Sequence, residues 1–263
     1  MAAFLRSKPQ VLFIFLAGFF IVNAIVAEFI GIKIFSLEKT LGLEPFSFHL
    51  LGQEGLGFNL TAGVLLWPVV FVMTDLINEY FGPKAIRFLS WLAVGLIVYA
   101  FIMVFTAIEV APNDWWDFQS GKLDTDASLH IGSMDLAFRK VMGQGLWIIL
   151  GSVIAFLVGQ IIDVFIFHRI KKVTGENRIW LRATGSTLIS QLIDSYIVLI
   201  IAFYVGSDWD LARVLAIGTV NYLYKFLMAF LLTPVIYFMH ALIENYLGVE
   251  TAAMMKSEAM GNE

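Results

Sequence analysis

No cysteine occurs anywhere in the 263 residues. Disulfides, thiolate metal sites and cysteine nucleophiles are thereby excluded. Charge is scarce too: Asp, Glu, Lys and Arg make up 14% of the chain, against 59% hydrophobic residues. A soluble chain of this length needs a charged exterior, and these residues are too few to build one. The formal net charge of -4 says little about partners, and there is no basic patch of the kind that binds nucleic acid. The patterns HExxH, GxSxG and GxxxxGKS/T are missing as well. With them goes the case for a zinc protease, a lipase-type serine site or an ATP-driven pump. The reading is therefore of a non-enzyme with no cofactor and no metal, embedded in a lipid bilayer.

What is present is long apolar runs. A helix needs about 20 residues to cross the hydrocarbon core. The sequence predicts six such spans: Pro9–Ile32, Leu60–Phe81, Ile86–Ile108, Val141–Phe167, Ile179–Val205 and Leu211–Tyr246. The third carries no charge from Phe88 to Ile108. The sixth is overlong, with room for an interfacial helix at its end. The first is too long for a signal-peptide core and lacks a small-x-small cleavage site before Glu28, so it is read as part of the mature protein. The expected fold is an all-α bundle of six transmembrane helices. It forms one transmembrane domain over residues 1–250, followed by a disordered tail over 251–263.

Basic residues orient the bundle. Arg6, Lys8, Lys84, Arg87, Arg169, Lys171, Lys172, Arg178 and Lys256 fall on one side of six spans. Lys33, Lys39, Lys122, Arg139, Lys140 and Arg213 fall on the other, among acid-rich loops that hold Glu109, Asp114, Asp117, Asp124 and Asp126. Both termini are thus expected in the cytoplasm, and Trp115 and Trp116 fit an interfacial aromatic belt. Residues 33–58 mix Phe and Leu with Glu and Lys and read as a short amphipathic piece on the outer interface. Residues 109–135 read as an outer loop.

Polar residues inside apolar spans are the functional signal, because each charge at the bilayer centre costs about 2.5–3.5 kcal/mol. They are Asn23 and Glu28 in the first span; Asp75, Asn78 and Glu79 in the second; Gln160 and Asp163 in the fourth. The fifth holds Ser186, Thr187, Ser190, Gln191, Asp194 and Ser195, and the sixth Asn221 and Lys225. The fourth and fifth share a Gln-x-x-Asp echo, Gln160 with Asp163 and Gln191 with Asp194. At i, i+3 each pair occupies one helix face, and paired polar motifs in two spans can mark a transport site. At about 1.5 Å per residue, Asp194 and Lys225 fall near mid-membrane, with Glu79 and Asp163 near the cytoplasmic interface. Plainer roles stay open. Glu79 and Asp163 fit solvated interfacial positions, Lys225 fits a structural partner of Asp194, and Asn23 and Asn221 fit interhelical glue. The histidines, His49, His130, His168 and His240, lie in loops or near span ends and are given no role.

One stretch is distinctive: "WPVVFVMTDLINEYFGPKAIR", Trp67 to Arg87. With its Pro68, Thr74, Asp75, Glu79, Tyr80, Gly82, Lys84 and Arg87, it resembles the signature of the VUT family, the queuosine precursor transporters. The resemblance extends through Asn23, the Gln160/Asp163 pair, "STLISQLIDS" (Ser186 to Ser195) and "YKFLMAFLLTPVIY" (Tyr224 to Tyr237). It covers every span but the third, while 33–58 and 109–135 look like insertions. It implies a multi-pass inner-membrane importer of 7-cyano-7-deazaguanine or its 7-aminomethyl relative, feeding tRNA modification. The residues suit that chemistry. A guanine-like edge offers an N–H beside an exocyclic amine, and one carboxylate can accept both. Amides can serve the neighbouring carbonyl and ring nitrogen. The expected substrate-binding residues are Asn23, Asp75, Asn78, Glu79, Gln160, Asp163, Gln191, Asp194, Asn221 and Lys225. Two other classes compete. One is a membrane-embedded substrate-binding subunit of a multi-component vitamin-type importer, separable by transport through the purified chain alone. The other is an intramembrane enzyme, separable by product analysis. The partners expected are a small-molecule deazapurine and the lipid bilayer, with no nucleic acid; a homodimer is left open.

Overall fold

The structure is a computed structural model that describes residues 7–119, 122–123, 126–143, 145–175 and 178–261. Arg6 and Asp124, named above for their charge, lie outside them. The helices are α1 (Lys8–Ile30), the single turn α2 (Leu37–Thr40), α3 (Trp67–Glu109), α4 (Asp114–Gln119), α5 (Met134–Met142), α6 (Leu146–Thr174), α7 (Ile179–Leu199), α8 (Leu211–Leu247) and α9 (Val249–Gly261). Five helical stretches are long and apolar enough to cross a membrane: α1, α3, α5 running into α6, α7 with its extension, and α8. Large apolar side chains such as Phe15, Phe88, Phe165, Leu231 and Phe238 stand exposed on them. That is the surface expected of a lipid-facing belt.

The longest helix is not one rod. Gly82 breaks α3 with φ 82° and ψ 175°, next to Pro83, which has no N–H to continue the ladder. Three contacts with α1 show that the chain reverses there. A side chain at Gly63, just before α3, would meet Ala27 O, and Phe81 packs on Phe13 at 5.0 Å. Phe101 packs on Phe29 at 5.1 Å. The arm up to Phe81 therefore runs against α1, and the arm from Pro83 runs with it. Two of the expected spans are these two arms.

Glycine is required at 82 twice over. Its positive φ suits few other residues, and a Cβ there would lie 3.2 Å from Ala259 O on α9. Gly82→Val should lower the thermal stability of the detergent-solubilised protein, through a positive-φ backbone strain of roughly 1–3 kcal/mol plus displacement of α9. If its melting curve matched wild type, α9 would not be seated on this bend.

Other ends are set locally. Ser7 caps α1 by accepting from the Gln10 N–H (3.4 Å), with Pro9 in the first turn. Asp210 caps α8 by accepting from the Arg213 N–H at 2.8 Å. α7 widens into a π-helical stretch over 200–205. Small residues bring α6 and α7 close: a Cβ at Gly151 would meet Val198 O at 3.0 Å. α8 stays helical through Pro234. Then Gly248, φ 90°, turns the chain into α9. Residues 251–261 of the tail expected to be disordered are thus helical, with Ala252, Met255 and Ala259 buried, and 262–263 lie outside the described residues. Lys256 holds Glu244 at 2.6 Å. Its apolar face, too short to register as a span, is what folds it back.

Both described chain ends lie at the Gly82 end of the bundle. Lys8 Nζ donates to Tyr246 O at 2.7 Å, and α9 packs on the bend. The opposite end is roofed by residues 33–61. Strand β1 (Ile34–Ser36) pairs antiparallel with β4 (Asn59–Thr61), and between them β2 (Phe48–Leu50) pairs with β3 (Gln53–Leu56). Buried Glu38 pins the roof by accepting from the Phe58 N–H at 2.7 Å and the Ser36 hydroxyl at 2.8 Å. Phe58 and Leu60 then pack on Val220 and Tyr224 of α8. The amphipathic piece is therefore built as small hairpins clamped to the bundle.

Candidate functional site

The cross-links between helices come in register. From the Gly82 end towards the roof they read as a ladder. Glu79 on α3 meets Arg182 of α7 at 2.7 Å and Lys171 of α6 at 3.2 Å, and all three are fully buried. Arg182 also donates to Gly175 O. Above them, His168 Nε2 donates to Asn78 Oδ1 at 2.7 Å. Next, Ser190 donates to Asp163 Oδ1 at 3.1 Å, and Thr74 donates to Gln160 Oε1 at 3.1 Å. Higher still, Asp194 pairs with Lys225 of α8, where Gly159 packs on Asp194 Cβ. Ser152 donates to Glu28 Oε1 at 2.5 Å. Along this ladder α3 and α6 climb together, 74 with 160, 78 with 168 and 79 with 171. Asp75 is thereby set level with Asp163.

Asp75 lines a narrow slot. Trp67, Phe71, Thr187, Gln191, Tyr224 and Lys225 are among its walls, and its free volume is about 40 Å³. Through Val64, Trp67 and Lys225 the slot meets a much larger cavity of about 560 Å³. That cavity lies under the roof and is lined by Glu28, Ser152, Asp194, Ser195, Asn221, Lys225, Phe203 and Trp209, with Leu56 and Leu60 from above. Phe203 and Trp209 stack at 4.3 Å, and Arg213 caps the Trp209 ring at 4.0 Å.

Several buried polar atoms around the slot have no hydrogen-bond partner within the protein: Asp75 Oδ1, Asn78 Nδ2, Gln160 Nε2, Asp163 Oδ2 and Gln191 Nε2. Orphaned donors and acceptors in a dry interior are expensive. Here both kinds cluster at one level. Of these, Asp75 Oδ1 and Gln191 Nε2 reach the slot and can recognise a ligand that itself presents donors and acceptors along one edge.

The expected site residues separate into groups. Asp75 and Gln191 reach the slot, and Lys225 borders both spaces. Asp194 and Asn221 line the large cavity. Asn78, Gln160 and Asp163 are buried behind the slot. Asn23 is buried on α1 and donates to Phe19 O of its own helix at 2.7 Å. Glu79 and Asp163 are not solvated interfacial residues, since neither has any exposed surface. Antiparallel packing sets the two Gln-x-x-Asp motifs against each other, with Asp163 beside Ser190 and Asp194 beside Gly159. Lys171 is no solvated loop charge but a buried partner of Glu79.

Sequence reasoning missed Arg182, the largest fully buried side chain in the bundle. Its signal was an arginine inside the first turns of an apolar span. Two histidines given no role also belong to the interior: His168 on Asn78, and His240, whose Nδ1 lies 2.9 Å from the Tyr80 hydroxyl. Their ring pairings cannot be read from spacing, because the partners are 90 and 160 residues away.

The Asp194–Lys225 pair separates slot from cavity. Lys225→Met should leave the Asp194 carboxylate without its cation and lower stability and transport together. Adding Asp194→Asn should recover part of the stability, since an unpaired charge costs more than no charge. A double variant no more stable than the worse single variant would argue against direct pairing.

The family model described as "Putative vitamin uptake transporter" matches residues 61–239. The chain belongs to this family. The match takes in the slot, the ladder apart from Glu28, and α8 as far as Met239, and omits α1 and α9. Among similar proteins of the family, a "Probable queuosine precursor transporter" of Bacillus subtilis (strain 168) is 30% identical over 197 residues. That alignment covers 73% of this chain and 76% of the relative. A protein of Haemophilus influenzae with the same description is 29% identical, covering 66% of each chain. A "Queuosine precursor transporter" of Escherichia coli K12 is 27% identical, covering 66% of this chain and 69% of that protein. No solved structure matches. Like these relatives, this family member is a multi-pass membrane transporter rather than an enzyme.

Proposed function

We propose that the protein imports queuosine precursors, 7-deazaguanine bases, across the plasma membrane. The observation that carries this is Asp75. It is a buried carboxylate whose Oδ1 has no partner in the protein, and it faces an aromatic-walled slot beside the orphaned amide of Gln191. A guanine-like edge supplies the two adjacent donors that such a carboxylate accepts. Gln191 Nε2 can donate to the neighbouring carbonyl oxygen of the base. Trp67, Phe71 and Tyr224 offer flat walls for the ring. The base enters the large cavity under the roof, and its edge reaches Asp75 as the slot widens between α3, α7 and α8. Asp194, Asn221 and Lys225 meet it first. Glu79, with Arg182 and Lys171, holds α3, α6 and α7 together beneath the slot rather than touching substrate.

In this reading the two arms of α3 cross the membrane separately, giving six crossings. The Gly82 end, with both termini, faces the cytoplasm, and the roofed cavity faces outward.

The test uses a host unable to make queuosine and lacking its own importer. Expressing this chain should restore queuosine in tRNA when 7-cyano-7-deazaguanine or its 7-aminomethyl relative is supplied. Supplying each precursor separately identifies the preferred one. No restoration with either, despite membrane expression, would refute the proposal. Uptake by the purified chain alone in liposomes would dismiss a binding subunit that depends on a separate motor.

A further inference from the structure

The buried charges at the foot of the slot do not balance. Glu79 takes both nearby cations, Arg182 and Lys171. Asp75 and Asp163 are set level with each other by the register of α3 and α6, which Thr74–Gln160 and Asn78–His168 fix, and have essentially no exposed surface. Neither makes an ion pair within 4.0 Å among the described residues. Asp163 is held only by hydroxyls of α7, with Ser190 donating to its Oδ1 at 3.1 Å and Ser186 and Thr187 close by, and Asp75 Oδ1 has no hydrogen-bond partner. Three buried carboxylates thus face two cations, and Asp75 and Asp163, with no ion-pair partner of their own, cannot both be ionised in a dry interior.

We propose that Asp75 and Asp163 share one exchangeable proton, and that this proton crosses the membrane with the substrate. The inference rests on the import reading above and names its driving ion. Binding a base with two donors needs Asp75 ionised, which places the shared proton on Asp163. One proton is taken from the outer aqueous phase as the carboxyl O–H forms. It is returned to the cytoplasm as that bond breaks, and no other reactant is consumed.

The groups facing the pair favour a single shared proton. On α3, Glu79 opposes a second negative charge. On α6, His168 is engaged with Asn78, and Lys171 with Glu79. On α7, Arg182 attracts but is tied to Glu79 and Gly175 O. On α8, Lys225 is tied to Asp194. Only Asp75 of the pair lines the slot, so Asp163 holds the proton without touching substrate.

The experiment uses the purified full-length chain in liposomes with labelled 7-cyano-7-deazaguanine. An inward proton gradient should drive accumulation, and a protonophore should abolish it. Asp163→Asn, permanently neutral, should still exchange labelled for unlabelled base but reach an accumulation ratio of only about one. Ser190→Ala is gentler to the fold and removes the hydroxyl that stabilises ionised Asp163. It should move the pH profile of accumulation upward. Accumulation indifferent to the proton gradient, accumulation driven by sodium instead, coupled accumulation by Asp163→Asn, or an unmoved profile in Ser190→Ala would each overturn the proposal. Failure of the wild type to exchange base at all would instead defeat the import reading, and coupling with it.

Discussion

Arg182→Met should be the most damaging single substitution in the bundle. Arg182 is fully buried and donates to Glu79 and to Gly175 O, each at 2.7 Å. Without it, Glu79 keeps only Lys171 at 3.2 Å. Deleting one partner of a buried pair costs about 3–5 kcal/mol, because the other charge stays behind in low dielectric. The purified variant should lose most of its monodisperse, detergent-soluble fraction after heating that wild type survives. Arg182→Lys keeps the charge but not the fork that reaches two acceptors at once, and should fall between the two. The same network reverses what the sequence suggests for Glu79. Read as an interfacial residue, Glu79→Gln looks mild. Placed between two buried cations, it leaves both under-neutralised and should also be strongly destabilising. Unchanged heat tolerance in Arg182→Met would remove this triad as the foundation of the bundle.

Asp75→Asn should act on affinity and spare the fold. The substitution keeps the size but turns one accepting oxygen into a donor, facing a substrate edge that also donates there. Losing one charged hydrogen bond costs about 1.5–3 kcal/mol, so affinity for 7-cyano-7-deazaguanine should fall roughly 10- to 150-fold. Stability should hold or rise, because a buried carboxylate with no cation of its own is removed. Direct binding to purified wild type and variant, matched for heat tolerance, measures this. Equal affinities would take Asp75 out of the site and leave it as a purely structural or gating residue of α3.

Much of this was legible in the chain, and the reasons for the exceptions are physical. Apolar length located the spans, because the bilayer sets it. The bend between the second and third was marked by "FGPK", a glycine free to take positive φ followed by a proline that cannot continue the ladder. The start of α6 was misjudged because Val141 belongs to the separate helix α5, and apolar content alone does not separate two adjoining helices. α9 was missed because its apolar face is short and gains stability only by packing on α3 at the Gly82 bend and on α8. The polar residues inside spans were found by their cost in lipid, and the Lys225–Asp194 pairing followed from the same cost. Which of them meet was not legible. Asp75 comes level with Asp163, and Asn78 meets His168, only because α3 and α6 run parallel in one register. That is a property of packing between segments some 90 residues apart.

The pairing of β1 with β4 has a consequence for variation among relatives. It fastens Ile34–Ser36 to Asn59–Thr61, so everything between them is a closed loop whose ends are already fixed. The entropy of closing such a loop grows only with the logarithm of its length, about 0.6 kcal/mol per doubling. Relatives can therefore lengthen or trim the stretch between the two strands at little energetic cost. Throughout such changes α3 would still begin at the same point, and its carboxylates would stay level with α6. Apart from Glu38 and Phe58, which hold the segment to the bundle, the residues between the two strands are free to diverge because the strands at their base absorb the change.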